Sequence, residues 1–225
     1  MPILTLDELV TAVRAEIGDS TDMAMGVDAL PGIRQMLKRI QETYFEDFDW
    51  PHLKVFREEE ILANQNIYTF NSDVDSRRIY GAWVRDNDTW TPMEYGITPD
   101  LYNSSDPEEG ETETTPLRWD FAENNQFEIW PVPSDPTRIR FRVMKQLAPL
   151  VATTDKCELD SNLLILTAAA ELLARAKSAD AQLKLSIATS HYNRLKGRYI
   201  KNRMFVNGQS DTEERPKNWT IRVPR

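Results

Sequence analysis

Residues 44–74, YFEDFDWPHLKVFREEEILANQNIYTFNSDV, contain the point at which the sequence changes from helical to strand periodicity. An aromatic cluster ends the helical pattern, and Trp50 precedes Pro51, which moves the Trp50 backbone out of the helical region. The segment Ile67-Tyr68-Thr69-Phe70 then has the composition of a strand. This stretch predicts a junction between a helical layer and a sheet.

Two amphipathic helices are expected before this junction. Thr5 and Glu8 have the spacing of a capping box, and Gly18 is a natural end for the helix that follows. Pro31 suits a first helical turn, after which apolar residues recur at steps of three and four as far as Tyr44. We therefore expect one helix after Thr5 and a second from about residue 30 to about residue 46.

Seven segments rich in aromatic and β-branched residues follow Pro51. Turns rich in Asn and Asp separate several of them, and connections this short predict antiparallel hairpins. A brief helical turn is expected at residues 98–102. The predicted strands are 53–60, 66–70, 78–85, 89–95, 117–122, 126–130 and 137–145.

Helical periodicity returns near Asp160 and Ser161, either of which suits a helix N-cap. Another helix is expected from Ser178, with its buried stripe at Leu183, Ile187, His191, Leu195 and Tyr199. The predicted fold class is α+β, a helix bundle formed by N- and C-terminal helices with an inserted antiparallel β region and an extended C-terminal tail. The predicted domains are 1–50 and 155–204 for the bundle, 51–154 for the insertion and 205–225 for the tail.

Composition indicates a globular protein that stays in the cytosol in which it is made. The chain has 225 residues and 40% hydrophobic content, which is enough to bury a core. No apolar run approaches the roughly 20 residues that cross a bilayer, so we expect no membrane segment. Cys157 is the only cysteine, which excludes an internal disulfide, and we expect it to be a packing residue.

Charge is distributed unevenly along the chain, whose net charge is -9. Residues 175–225 contain 12 Lys and Arg against 4 Asp and Glu, whereas residues 86–117 contain nine carboxylates and no Lys or Arg. Such asymmetry suits a protein that offers different faces to different partners, although an acidic loop is also often simply solvated.

The sequence contains no recognisable catalytic motif. Its eight glycines form neither a GxGxxG pattern nor a phosphate-binding loop, and GxSxG and HExxH are absent. His191 is expected to be a hydrogen-bonded packing residue, and Asp86, Asp88 and Glu94 do not have the spacing of a calcium loop. We expect no enzymatic activity, no cofactor and no metal.

Two features indicate binding. Basic residues on the last helix suit contact with a phosphate backbone, or simply keep the helix soluble. They are Lys184, Arg194, Lys196, Arg198, Lys201 and Arg203. In the tail, Trp219, Ile221 and Val223 alternate with polar residues. A segment with this pattern can add a strand to another subunit or lie in a groove on it. A disordered terminus is the alternative.

The order of several short motifs resembles that of the head-to-tail adaptor, or connector, proteins of tailed bacteriophages. The motifs are LDELV at 6–10, IGD at 17–19, FDWPHL at 48–53, IYTFNSDV at 67–74, IYGAWV at 79–84, PLRWD at 116–120 and FEIWPVP at 127–133. The resemblance covers residues 6–199. It implies a structural protein with a helix bundle and an inserted β region, in agreement with the layout above.

The resemblance also implies a place and a set of partners. Such adaptors form a ring, usually of twelve subunits, in the virion neck between capsid and tail, and the virion is assembled in the host cytoplasm. The ring binds beneath the portal protein, extends the channel through which genomic DNA passes without sequence specificity, and docks a tail or nozzle protein. Another neck or tail-completion protein, or a non-specific DNA-binding module using the basic helix, remains the alternative.

Roles for individual residues follow from the resemblance as hypotheses. The resemblance implies that the C-terminal extension binds the portal, and the residues assigned to this contact are Phe205, Trp219, Ile221, Arg222 and Val223. The basic residues expected to face the DNA channel or the portal are Lys196, Arg198, Lys201 and Arg203. The acidic residues expected to face the tail or the exterior are Glu108, Glu109, Glu111 and Glu113.

Overall fold

The chain begins with two α-helices, continues with seven strands that are interrupted by one short helix, and returns to two α-helices. The computed structural model describes residues 3–21, 27–104, 112–113 and 115–201. Its helices are α1 (Leu6–Ile17), α2 (Leu30–Asp47), α3 (Pro99–Tyr102), α4 (Ser161–Arg175) and α5 (Asp180–Lys201). Its strands are β1 (Lys54–Ile61), β2 (Ile67–Thr69), β3 (Val74–Asp86), β4 (Thr89–Tyr95), β5 (Arg118–Ala122), β6 (Gln126–Trp130) and β7 (Thr137–Lys145). The mixed α+β class is confirmed, whereas the bundle arrangement and the domain boundaries stay predictions.

Local signals place the helix ends where the sequence predicts them. The backbone N–H of Thr5 donates to Glu8 Oε2 at 2.8 Å, and the backbone N–H of Glu8 donates to Thr5 Oγ1 at 3.3 Å, which completes the capping box of α1. Gly18 ends that helix with φ 83°, a conformation that favours glycine. At the start of α4, Asp160 Oδ1 accepts a hydrogen bond from the backbone N–H of Leu163 at 2.9 Å.

Helices α1, α2, α4 and α5 share one apolar core. Leu9, Leu37 and Leu164 are fully buried in it. Cys157 is buried there as predicted, its Sγ donates to the Leu159 carbonyl at 3.2 Å, and burial raises the pKa of its thiol to about 12. Among the described residues, no helix combines the length and apolar character that a membrane span requires.

The buried face of α5 differs from the predicted stripe. Leu195 is buried, but Leu183 is 59% exposed and Ile187 is 43% exposed, while Ala181 and Ala188 are buried. Steps of four residues drift by about 40° each around a helix of 3.6 residues per turn, so a stripe of five such residues cannot stay on one face. Residues seven apart drift by only about 20°, so Ala181, Ala188 and Leu195 stay on one face of α5. The small alanine side chains allow this face to pack closely against the other helices.

The seven strands form one sheet in the order β1-β7-β3-β4-β5-β6-β2. All neighbouring pairs are antiparallel except β4 and β5, which pair in parallel over Glu94–Arg118 and Tyr95–Trp119. The expected hairpins β3–β4 and β5–β6 are confirmed. A hairpin between β1 and β2 is wrong, because β1 pairs with β7 and β2 pairs with β6.

The connection between β1 and β2 shows that the sheet is curled. These strands lie at opposite edges of the sheet, yet only residues 62–66 join them. A link of that length spans at most about 20 Å, whereas seven strands laid flat are about 29 Å wide. The curl encloses a second core, in which the ring of Phe127 lies 4.7 Å from that of Phe70 and 4.8 Å from that of Phe141.

Candidate functional site

The helix-to-sheet junction at residues 44–54 is built around the C-terminus of α2. The last carbonyl groups of a helix have no partner within it. Here the Trp50 indole Nε1 donates to the Tyr44 carbonyl at 2.8 Å, and an Arg78 guanidinium nitrogen donates to the Phe45 carbonyl at 2.8 Å. Trp50 is fully buried, and its ring meets Phe48 edge-on at 5.3 Å. The junction therefore fixes the direction in which β1 leaves the helical layer.

Charged groups tie β3 to the same junction. Arg78 forms an ion pair with Glu46 at 2.7 Å. Its positive charge also interacts favourably with the negative, C-terminal end of the α2 dipole. The hydroxyl of Tyr80 donates to Asp49 Oδ2 at 2.6 Å. Burial opposes ionisation of Asp49, but hydrogen bonds from Tyr80 and Lys54 outweigh it and lower the pKa of that carboxyl. Arg77 also bonds Glu46, at 2.9 Å, so three side chains of β3 attach that strand to the end of α2 and the residues that follow it.

The C-terminal half of α5 packs on this junction from the other side. The ring of Tyr192 lies 4.8 Å from that of Tyr44, and the ring of Tyr199 lies 6.1 Å from that of Trp50. Lys196 Nζ lies 2.8 Å from Asp47 Oδ2 and 4.2 Å from the centroid of the Tyr192 ring. The end of α5, where the predicted tail begins, is thus held against the start of the sheet.

The basic residues of α5 do not all lie on an exposed face. Lys196 is half-buried on Asp47, and its hydrogen bond, the largest cause, lowers the pKa of that carboxyl. Lys184 is half-buried and pairs with Glu16 of α1. Acidic residues of α1 and α2 therefore neutralise these two cations. Arg198 is exposed.

Lys201 is the last residue of α5, and Arg203 lies outside the described residues. The portal-binding residues proposed for the tail, from Phe205 to Val223, also lie outside them. Their roles stay predictions.

His191 links the last two helices. Its Nε2 lies 2.8 Å from Asp160 Oδ1, the oxygen that caps α4, and its Nδ1 lies 3.1 Å from an Arg194 guanidinium nitrogen. The prediction of a hydrogen-bonded packing histidine is confirmed.

The acidic insertion returns to the sheet at Glu113. Its backbone N–H donates to the Val132 carbonyl at 2.8 Å, and its carbonyl accepts from the Ser134 N–H at 2.7 Å, while its side chain is exposed. Glu108, Glu109 and Glu111 lie outside the described residues. A tail-side docking role for the four glutamates stays a prediction.

An aromatic groove lies where β3, β4 and β5 meet. It encloses about 570 Å³ and is lined by Arg77, Ile79, Tyr80, Gly81, Met93, Tyr95, Trp119 and Phe121. Tyr95 is 61% exposed and Phe121 is 43% exposed. The sequence predicts these strands but not the parallel pairing of β4 with β5 that brings their aromatic residues together. The groove was therefore missed by sequence reasoning.

Acidic residues, histidines and the cysteine are dispersed over the described ranges. Within them, no cluster of three or more His, Cys, Asp or Glu side chains has the required proximity. Asp88, one of the carboxylates considered from the sequence, pairs with Arg85 at 2.6 Å. The described surface does have an aromatic groove and exposed apolar residues on α5, Leu183 and Ile187.

Among protein families, the model described as SU10 adaptor protein matches residues 4–220 of the chain. The match spans the N-terminal helices, the inserted sheet, the C-terminal helices and most of the predicted tail. No curated protein matches the chain significantly.

Proposed function

The chain belongs to the SU10 adaptor protein family, a family of phage head-to-tail adaptors, and we propose on that basis that it forms a ring under the portal that extends the DNA channel and docks the tail. The family is structural rather than enzymatic, and it indicates a virion component that interacts with other phage head or tail proteins. The single observation that carries the proposal is the family match over residues 4–220.

A ring needs two different contact surfaces on each subunit. Leu183 and Ile187 are one turn apart on α5, and both are exposed in the single chain. Exposed apolar residues of this kind suit a subunit contact, which removes them from water. We assign this face of α5 to the contact between neighbouring subunits of a ring, of twelve in the form usual for such adaptors.

The C-terminal tail is the proposed portal-binding element. Trp219, Ile221 and Val223 alternate with polar residues, so an extended tail presents all three on one side. Arg222 adds a cation between them, and Phe205 follows the end of α5. Tyr199, near the end of α5, packs against Trp50 of the helix-to-sheet junction.

The charged surfaces complete the proposal. Arg198 is exposed on α5, and together with Lys196, Lys201 and Arg203 it is proposed to face the DNA channel or the portal. Contacts of this kind read the phosphate backbone and carry no sequence specificity. The acidic insertion, with Glu108, Glu109, Glu111 and Glu113, is proposed to face the tail or nozzle protein. The ring would thus occupy the neck, between capsid and tail.

The test is to mix the protein with the portal ring of the same phage and image the product by cryo-electron microscopy. We expect a second ring at the narrow end of the portal. Deletion of residues 205–225 should abolish docking without reducing the helical signal in circular dichroism. Replacing Trp219, Ile221 and Val223 by Ser should do the same, whereas the interleaved control Asn218→Ala with Thr220→Ala should still dock. Portal particles without added density would contradict the proposal.

Two alternatives have distinct outcomes in the same assays. Another neck or tail-completion protein would bind the tail or a preformed portal–adaptor complex, but not the bare portal. A DNA-binding module would bind duplex DNA as a monomer with a steep dependence on salt, weakened by Arg198→Ala but not by Arg175→Ala. The pairing of Lys196 with Asp47 gives this module less free positive charge than the sequence suggests.

A further inference from the structure

The aromatic groove is an opening of the sheet core to solvent. Tyr95 and Phe121 each lie two residues after a residue buried in that core, Met93 on β4 and Trp119 on β5, and therefore on the same face of the strand. The ring of Tyr95 lies 5.1 Å from that of Trp119 and 5.9 Å from that of Phe121. Contiguous exposed aromatic surface of this kind is typical of an interaction site.

The end of α5 is linked to this groove through the helix-to-sheet junction. Tyr199, near the end of α5, has its ring 6.1 Å from that of Phe48. Asp49 follows Phe48 and accepts the hydrogen bond from Tyr80, which forms part of the groove wall. The 18 residues from Lys201 to Trp219 reach up to about 60 Å when extended, so the groove is accessible to the C-terminus of the same chain.

The chemistry of the C-terminal segment, residues 215–225 (RPKNWTIRVPR), complements the groove. Its three alternating apolar residues, Trp219, Ile221 and Val223, match an aromatic lining. The segment has four basic side chains and no acidic side chain. Asp120 lies between the groove residues Trp119 and Phe121 on β5 and accepts hydrogen bonds from the backbone N–H groups of Ile97 at 3.1 Å and Phe121 at 2.7 Å; within the described residues it forms no ion pair. The one cation in the described lining, Arg77, is paired with Glu46 and Asp75.

We propose that, in the unassembled protein, the aromatic groove binds the C-terminal segment of its own chain. Docking removes Trp219 and the rings of Tyr95 and Phe121 from water, and it places the basic segment beside Asp120. The segment then has two alternative positions, the groove before assembly and a partner protein afterwards. The inference concerns the isolated chain, so it stands or falls independently of the portal assignment.

Photo-cross-linking of the full-length chain tests this proposal. With p-benzoylphenylalanine in place of Ile221, irradiation should join the C-terminal segment to peptides that contain Tyr95 or Phe121. An equal mixture of normal and 15N-labelled chains separates links within a chain from links between chains. The double variant Tyr95→Ser with Phe121→Ser should lower the yield about tenfold, the loss expected when two aromatic contacts worth about 1.4 kcal/mol in total are removed.

The control is Phe56→Ser, because Phe56 is also an exposed aromatic residue but does not line the groove. Its yield should equal that of the parent, and circular dichroism verifies that each variant is folded. The proposal is overturned by cross-links that map away from the groove, by links that join light to heavy chains, or by a folded double variant with an unchanged yield. If the double variant does not fold, the positions of the cross-links in the parent chain test the proposal by themselves.

Discussion

Replacement of Trp50 by Ala should remove the centre of the helix-to-sheet junction. The side chain is fully buried, and truncating a buried Trp costs about 3–5 kcal/mol of the free energy of unfolding. The Tyr44 carbonyl also loses the indole donor at 2.8 Å, which adds about 1 kcal/mol. The expected loss is therefore about 4–6 kcal/mol, a large part of the 5–15 kcal/mol typical of a domain. Trp50→Phe keeps most of the ring packing and should cost about 1–2 kcal/mol.

Urea denaturation followed by circular dichroism at 222 nm measures these losses, because that signal does not depend on the tryptophan removed. Trp90→Ala is the matched control, since Trp90 is half-buried and stacks on the Arg140 guanidinium at 4.0 Å. A partly exposed cation–π contact of that kind contributes about 1 kcal/mol. Equal losses for Trp50→Ala and Trp90→Ala, or a loss below about 1 kcal/mol for the former, would refute the structural role of the junction.

Three further predictions concern single side chains. Because Lys196 lowers the pKa of Asp47, this pair stabilises the fold above the unfolded carboxyl pKa of about 4, and the stabilisation is lost as pH falls through the lower pKa of the folded state. In urea denaturation, Asp47→Asn should therefore lower the free energy of unfolding by at most about 1 kcal/mol near pH 7 and should have no effect at low pH. Cys157, buried with a thiol pKa of about 12, should react with Ellman's reagent at pH 8 only after denaturant is added, and rapid reaction of the folded protein would contradict its burial. Asp160→Ala removes both the α4 cap and the His191 contact and should lower the free energy of unfolding by about 1–3 kcal/mol, whereas Asp160→Asn, which keeps an oxygen acceptor, should cost less.

Local signals in the sequence were sufficient for the elements, but not for the way in which they associate. The capping box at Thr5, Gly18 and the Asp160 cap act within one turn of helix, so their effect can be predicted from neighbouring residues. The pairing of β1 with β7 joins residues far apart in the chain, and no local pattern specifies it. The short connection from β1 to β2 predicts a hairpin, yet it bridges the two edges of a curled sheet instead.

Among the candidate site residues, too, some roles follow from the local sequence and others depend on residues far away in the chain. The packing roles of Cys157 and His191 follow from isolated residue types among apolar neighbours, and both are confirmed. The partners of Lys184 and Lys196 lie on α1 and α2, which a reading of α5 alone cannot reveal. The aromatic groove depends on the parallel contact between β4 and β5, across an insertion of more than 20 residues, and only the three-dimensional arrangement assembles it.

The most direct test of the adaptor assignment is the cryo-electron microscopy map of the portal ring incubated with this protein. The proposal predicts a ring of this chain at the narrow end of the portal, with its sheet and helices resolved and its C-terminal segment in contact with portal subunits. A map in which the portal is bare, or in which this chain binds only to the tail, would contradict it.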